Sequence, residues 1–261
     1  MTLSLLTTAA RQARSLAVAG HRPWPVPEWP WSVAQTLACA ATCHWPVEPA
    51  ALAVALPDGV EPDTRDGVAW VTVAALRVTG LRVRGLLPLP RLSDGAELVV
   101  RATALVDGRP AAAVLDSAFS NALAAEAARR LYRLPAARGR ILVTTGADGT
   151  VQVAASRNRP DGAPAVFHAR LAPLGPAVPA APGSLEAFLH DRFLLVAGRA
   201  GGGLVLVEQH RPPWRLAPAA AAVELQTVAP AGLVAGAPAV AHLAEPLDQL
   251  AWAPERQAGR Q

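Results

Sequence analysis

The residues best placed to do chemistry lie on one short run, Glu97 to Ala104. If that run is extended, Glu97, Val99, Arg101 and Thr103 share one face, and Leu98, Val100, Ala102 and Ala104 share the other. The second face is wholly apolar and must pack on something. If the first looks into an enclosed space, Arg101 is an anchor for a carboxylate and Glu97 a general base or hydrogen-bond acceptor. Four strand residues span roughly 13 Å, so the two cannot pair directly, and each needs another partner if buried. The alternative is a structural ion network that also draws in Asp116 and Arg129. The residues alone leave both open.

Other candidates are more isolated. His210 follows an apolar run and precedes Pro212 and Pro213, which makes it a candidate pocket acid or base. Asp116 ends a strand before a polar turn, where it either contacts a ligand or caps Ala118 or its neighbours. Arg129 and Trp70 complete the set of candidate ligand contacts; Trp70, like Trp45 and Trp214, also suits a core or barrel wall. No metal site is expected, because the histidines show no short-range spacing such as H-x-x-x-H. Cys39, Cys43 and His44 form C-x3-C-H, which is neither a haem attachment motif nor a complete zinc set, so the cysteines read as small apolar core residues. Ser120 and Ser184 lack the G-x-S-x-G elbow. The glycine-rich segment 198–204 lacks the phosphate-loop spacing and its lysine.

No lysine occurs anywhere. All 24 basic residues are arginine, which closes every Schiff-base route. The lysine-free, Ala-, Pro- and Arg-rich composition looks like that of a GC-rich bacterial genome. Net charge is only +4, and the arginines are scattered, which argues against a nucleic-acid partner. No apolar stretch of about 20 residues is uninterrupted, so no membrane span is expected. Arg11 and Arg14 sit inside the first apolar segment rather than before it, unlike a secretory leader. A cytoplasmic protein with free cysteines follows as the expectation, and a homo-oligomer is compatible with it.

These residues need elements to position them. Residues 1–30 read as a frayed or loosely docked extension, since four prolines between 21 and 31 forbid a regular helix there. Ser32 is read as the cap of a helix to about Cys43, ended by His44, and a second short helix spans 49–55. Beyond it the pattern turns to strands: 68–76, 77–87, then a hairpin of 97–106 and 110–116 around Asp107-Gly108. Residues 121–132 form the clearest helix, stopped by Pro135. A second hairpin, 141–145 with 150–156, turns at Asp148-Gly149. Strands 166–171, 194–197 and 204–208 follow, with a helix capped by Ser184 between them. Residues after 247 read as a disordered tail. The result is an α+β, antiparallel-dominated chain with a few inserted helices, organised as a single domain over 31–247 and expected to close into a barrel.

Several segments, in order, are similar to the YqjF-like family of uncharacterised bacterial proteins. They are His44-Trp45-Pro46-Val47, residues 61–70, Leu87-Pro88-Leu89-Pro90, Glu97-Leu98 with Arg101, and Leu115-Asp116. Arg129 with Leu134-Pro135, residues 182–186 with Phe188-Leu189 and Arg192-Phe193, and His210 with residues 213–216 complete the set. The resemblance covers roughly 31–220 and implies an acetoacetate decarboxylase-like β-barrel with a central pocket. It implies that Glu97 sits on the strand that carries the decarboxylase glutamate, and that Leu134-Pro135-Ala136 falls near where the decarboxylase has Pro-Lys. This sequence departs from the family pattern at Val99, where asparagine is usual, at Val114, usually serine, and at Ala136, usually aromatic. Strand aromatics are alanines around Ala74 and Ala75.

The expected function is therefore a barrel that binds a small organic acid or carbonyl compound without a cofactor. It is either a lysine-independent lyase or hydrolase acting through Glu97, Arg101 and His210, or a non-catalytic binding or structural protein on the same barrel.

Overall fold

The computed structural model describes residues 2–89, 93–158, 163–198 and 202–257. Pro90, much of the glycine-rich segment and the last four residues lie outside them. The elements run α1 (Thr2–Arg14), β1 (Val33–Val47), α2 (Pro49–Ala55), β2 (Glu61–Pro62), β3 (Ala69–Val83), β4 (Gly95–Val106) and β5 (Arg109–Phe119). They continue with α3 (Ala122–Arg130), β6 (Ala136–Arg138), β7 (Arg140–Thr145), β8 (Val151–Asn158), β9 (Pro164–Pro173), β10 (Val178–Pro179) and α4 (Leu185–His190). The last six are β11 (Leu194–Gly198), β12 (Leu204–His210), β13 (Arg215–Gln226), β14 (Val240–Ala244), β15 (Leu247–Ala251) and β16 (Glu255–Gln257).

Seven strands close a barrel in the order β1-β3-β4-β5-β11-β12-β15, and β15 pairs back onto β1. All neighbours are antiparallel except β5 and β11. The first half of β1, Val33–Leu37, closes the barrel against β15. Its second half, Ala40–His44, pairs instead with β14 and leads into a second sheet of β14, β13, β9, β8 and β7. That sheet folds back over the barrel wall. Leu98, Val100 and Ala102 of β4 share one buried cluster with Val143, Val151, Val153, Phe167 and Leu171 of the second sheet. The apolar face of β4 therefore lies between the layers, and the face with Glu97 and Arg101 turns to the lumen. Each fully buried Val, Leu or Phe in such a layer contributes roughly 1.5–3 kcal/mol.

The β4–β5 hairpin turns at Asp107 and Gly108, both with positive φ (49° and 74°), the geometry of a two-residue primed turn. Helix α3 starts at Asn121, whose side chain accepts from the amides of Leu123 and Ala124. Ser184 caps α4 by accepting from the Ala187 amide.

Three expectations are corrected. The helix expected from Ser32 to Cys43 is the long strand β1, which places Cys39, Ala41, Cys43 and Trp45 in the cluster between the layers. Alanine and leucine favour a helix locally, but pairing with β3 along its whole length overrides that preference. The N-terminal segment is not loosely docked. Gln12 is fully buried and donates to Thr36 Oγ1 (3.2 Å) and the Gly80 carbonyl (3.0 Å), while Arg11 holds Asp248 (2.7 Å). Finally, the segment expected to be a disordered tail supplies β15, which closes the barrel, and β16, which pairs with β12.

Candidate functional site

Strand register builds the lumen in rows. His44 of β1 stands opposite Thr72 of β3, Thr72 opposite Arg101 of β4, and Arg101 opposite Val114 of β5. The next row is Thr42, Ala74, Val99 and Ser117, and the one after is Ala40, Leu76, Glu97 and Phe119. The apolar partners of these strands are committed to the outer cluster, so alternation directs these rows inward. Trp70 falls on the same inward face, one row beyond Thr72, and its indole Nε1 is buried without a partner.

Arg101 stands out because its charge is uncompensated. Among the described residues its side chain has neither a hydrogen bond nor an ion pair. It is partly accessible. Burial lowers its guanidinium pKa from 12.5 to about 10, and the nearby charge of Arg192 adds to the effect. Arg211, from the segment after β12, is 2% exposed and donates to the carbonyls of His190 and Arg192. It stacks over Phe193 and Trp214, 5.1 and 5.3 Å from the ring centres, and its Nε is buried without a partner. Burial and the neighbouring Arg101 lower its pKa to about 9. Arg192 is neutralised by an ion pair with Asp63, and Asp191 acts on both Arg192 and Arg211. Three guanidiniums thus meet two carboxylates.

Three imidazoles complete this end of the lumen. His44 and His190 are fully buried and His242 is 3% exposed. His44 Nδ1 lies 2.9 Å from Thr72 Oγ1, and its Nε2 lies 3.0 Å from Thr42 Oγ1. Burial holds all three rings below the ordinary histidine range, so they are neutral near pH 7. Sequence spacing missed this group because its members come from β1, the end of α4 and β14. Arg192 stood in a family segment without an assigned role; His190, His242 and Arg211 carried no local signal.

Glu97 lies on the same face but away from these charges. It lines a narrow recess with Val78, Leu81, Asp94, Phe119 and Asn121. Burial raises its pKa to about 7, with no compensating cation. Beside the middle row, the Ser117 amide and hydroxyl both donate to the Pro135 carbonyl (2.8 and 2.9 Å), and Ala136 pairs with Ser117. Ala136 therefore brings only a methyl group to this edge of the sheet.

The other candidates fall elsewhere. Asp116 is opposite Val100, so it faces the second sheet, where it pairs with Arg157. A register shift between Val100 and Arg101 separates it from the inward face. Arg129 is half exposed on α3 and bonds Glu126 one turn back. The proposed network of Glu97, Arg101, Asp116 and Arg129 does not form. His210 bonds the Ser15 carbonyl through Nε2 (2.9 Å) and so anchors the N-terminal segment. Burial lowers its pKa to about 4.

A seven-stranded barrel backed by a second sheet, with arginines and neutral histidines facing inward, defines the class: an acetoacetate decarboxylase-like fold. The chain belongs to DUF2071, a family of uncharacterized conserved proteins whose model matches residues 34–248. It is 28% identical to the uncharacterized protein YqjF of Bacillus subtilis (strain 168) over 229 residues, 87% of this chain and 93% of that one. The solved acetoacetate decarboxylase of Legionella pneumophila superposes with a TM-score of 0.62 at 12% identity, covering 90% of this chain and 93% of that one. An acetoacetate decarboxylase-like enzyme from Sphingomonas wittichii RW1 gives 0.63 at 16% identity, covering 93% and 100%. The enduracididine biosynthesis enzyme MppR complexed with pyruvate gives 0.63 at 15% identity, covering 91% and 94%. At these identities the superpositions establish the fold.

Proposed function

We propose that the barrel binds a small organic acid, with the carboxylate held at Arg101. The observation that carries this reading is the uncompensated guanidinium. Arg101 faces the lumen without an anionic partner among the described residues, and Arg192 and Arg211 raise the local positive potential. A carboxylate would satisfy Arg101 in bidentate fashion and supply the missing negative charge. The similarity in fold to an enzyme solved with pyruvate and to acetoacetate decarboxylases supports the same ligand class.

With no lysine, no amine is available to attack a ketone, so binding does not lead to an enamine. A second reading makes Glu97 an acid or base near neutral pH, and its pKa of about 7 favours that reading. The separation of roughly 13 Å along β4 works against it, because a small acid at Arg101 would not reach Glu97.

Calorimetric titration with acetate, pyruvate and acetoacetate at constant ionic strength tests the proposal. Binding is expected for the wild type and should weaken roughly 10- to 100-fold in Arg101→Met, the loss of one charge-assisted contact. Equal affinity in the folded variant, or heats indistinguishable from chloride, would refute it. Turnover abolished in Glu97→Gln with ligand affinity retained would instead establish the acid–base reading.

A further inference from the structure

The geometry points to a transition-metal site formed by His44, His190 and His242. One ring nitrogen from each lies within 4.8 Å of the other two. His242 Nδ1 is 3.3 Å from His190 Nε2 and 3.4 Å from His44 Nε2. Two nitrogens bound tetrahedrally to zinc at about 2.0–2.1 Å stand about 3.3 Å apart. Two edges of the nitrogen triangle are already at that spacing, with all three rings buried.

The surroundings fit the same reading. If His44 coordinates through Nε2, its Nδ1–H donates to Thr72 Oγ1 at 2.9 Å, the kind of outer contact that fixes a ligand tautomer. The Glu186 carboxylate acts electrostatically on His242 and supplies negative charge behind that ring. His190 Nδ1 has no partner, so this ring lacks such a contact. Three neutral imidazoles suit Zn²⁺, Co²⁺, Ni²⁺ or Cu²⁺ and leave at least one coordination position open.

Arg101 opposes a bare dication, because its positive charge acts on His44 and His190, and that of Arg211 acts on His190. An anion in the open position offsets that repulsion. The metal should therefore bind more tightly when a carboxylate is present. This coupling rests on the organic-acid reading above, whereas the metal site itself does not.

The alternative without metal is a hydrogen-bonded chain. His190 Nε2–H would donate to His242 Nδ1, and His44 Nε2–H to Thr42 Oγ1, whose hydroxyl donates to the His242 carbonyl (3.4 Å). The two arrangements differ in metal affinity.

The test uses the full chain without a histidine tag, stripped with chelator and titrated with CoCl₂ and ZnCl₂ in chloride buffer, then with acetate added. The expected result is one metal per chain and a visible cobalt spectrum with the intensity of a four-coordinate site. His242→Ala and His44→Gln, checked for folding by circular dichroism, should each weaken affinity at least tenfold. His210→Ala, outside the cluster, should leave it unchanged. Absence of stoichiometric binding in both buffers, or binding retained in both cluster variants, would overturn the metal site. If either variant fails to fold, the wild-type cobalt spectrum decides, since six-coordinate surface binding gives only weak absorption. Metal binding unaffected by acetate would remove the coupling and leave the metal site standing.

Discussion

Glu97→Gln should stabilise the protein above neutral pH and do almost nothing in acid. The carboxyl faces inward from β4 without a cation among its described neighbours, and burial raises its pKa from 4.5 to about 7. A raised acid pKa means that the folded state holds its proton longer than the unfolded chain does. Glu97 therefore costs nothing below about pH 4.5, and the penalty grows as pH rises towards 7, where the folded carboxyl finally ionises. At 1.36 kcal/mol per pH unit, the full penalty is about 3 kcal/mol, with about 1.4 kcal/mol already present at pH 5.5. Water reaching the recess would lower both figures. Glutamine keeps the shape and removes the titration. Urea unfolding of both proteins from about pH 4 to pH 8 should show matching stabilities in acid and a gap of about 2–3 kcal/mol in favour of the variant at the alkaline end. The lowered histidine pKa values impose an opposite trend, but they act on both proteins and cancel in the difference. A difference that stays flat across the range would refute the reasoning and mean that Glu97 is solvated or paired.

Three further outcomes test the architecture. Cys43 is buried between the layers, and burial raises its thiol pKa to about 12. Cys39 is also buried and shifted upward, so neither thiol should react with Ellman's reagent at about pH 8 until the protein is unfolded. Asp248 is 6% exposed and accepts from Thr36 Oγ1 (2.7 Å) and Arg11 (2.7 Å), so Asp248→Ala should cost about 2 kcal/mol in urea unfolding and expose α1 to limited proteolysis. Arg11→Ala removes a half-exposed partner and should cost less than about 1 kcal/mol.

The sequence made the β4–β5 and β7–β8 hairpins legible because period-two alternation meets Asp-Gly turns in both. It made α3 legible because its alanines and Pro135 agree. β1 was not legible as a strand. Its alternation is present, Cys39, Ala41, Cys43 and Trp45 against Ala40, Thr42 and His44, but both sets are small or apolar and alanine-rich, so local preference hides the period. That single misreading also hid the histidine group, because a helix ending at His44 gives no reason to set it opposite Thr72. The split of β1 between β15 and β14 was equally hidden: it depends on pairing with segments at the far end of the sequence. Asp116 was misplaced by one register shift in β5, which turns its side chain to the second sheet.

The distribution of charge along β4 separates two jobs that the sequence could not separate. Glu97 and Arg101 share a face, yet their surroundings differ in kind. Glu97 sits among Val78, Leu81 and Phe119, where nothing stabilises a negative charge, so its proton is held to about pH 7. Arg101 sits in a row with His44 and Thr72, near Arg192 and Arg211, where positive charge is in excess. On the proposed reading, the charge of a carboxylic acid therefore favours the Arg101 end over the Glu97 end. Ala136, which pairs with Ser117 beside the lumen, carries only a methyl group, and the chain has no lysine. It keeps its cationic character in guanidiniums that remain protonated at every physiological pH. On the proposed reading, these guanidiniums hold and orient an acid, and none of them loses its proton near neutral pH to become a nucleophile. That combination favours binding over amine chemistry at this end of the lumen.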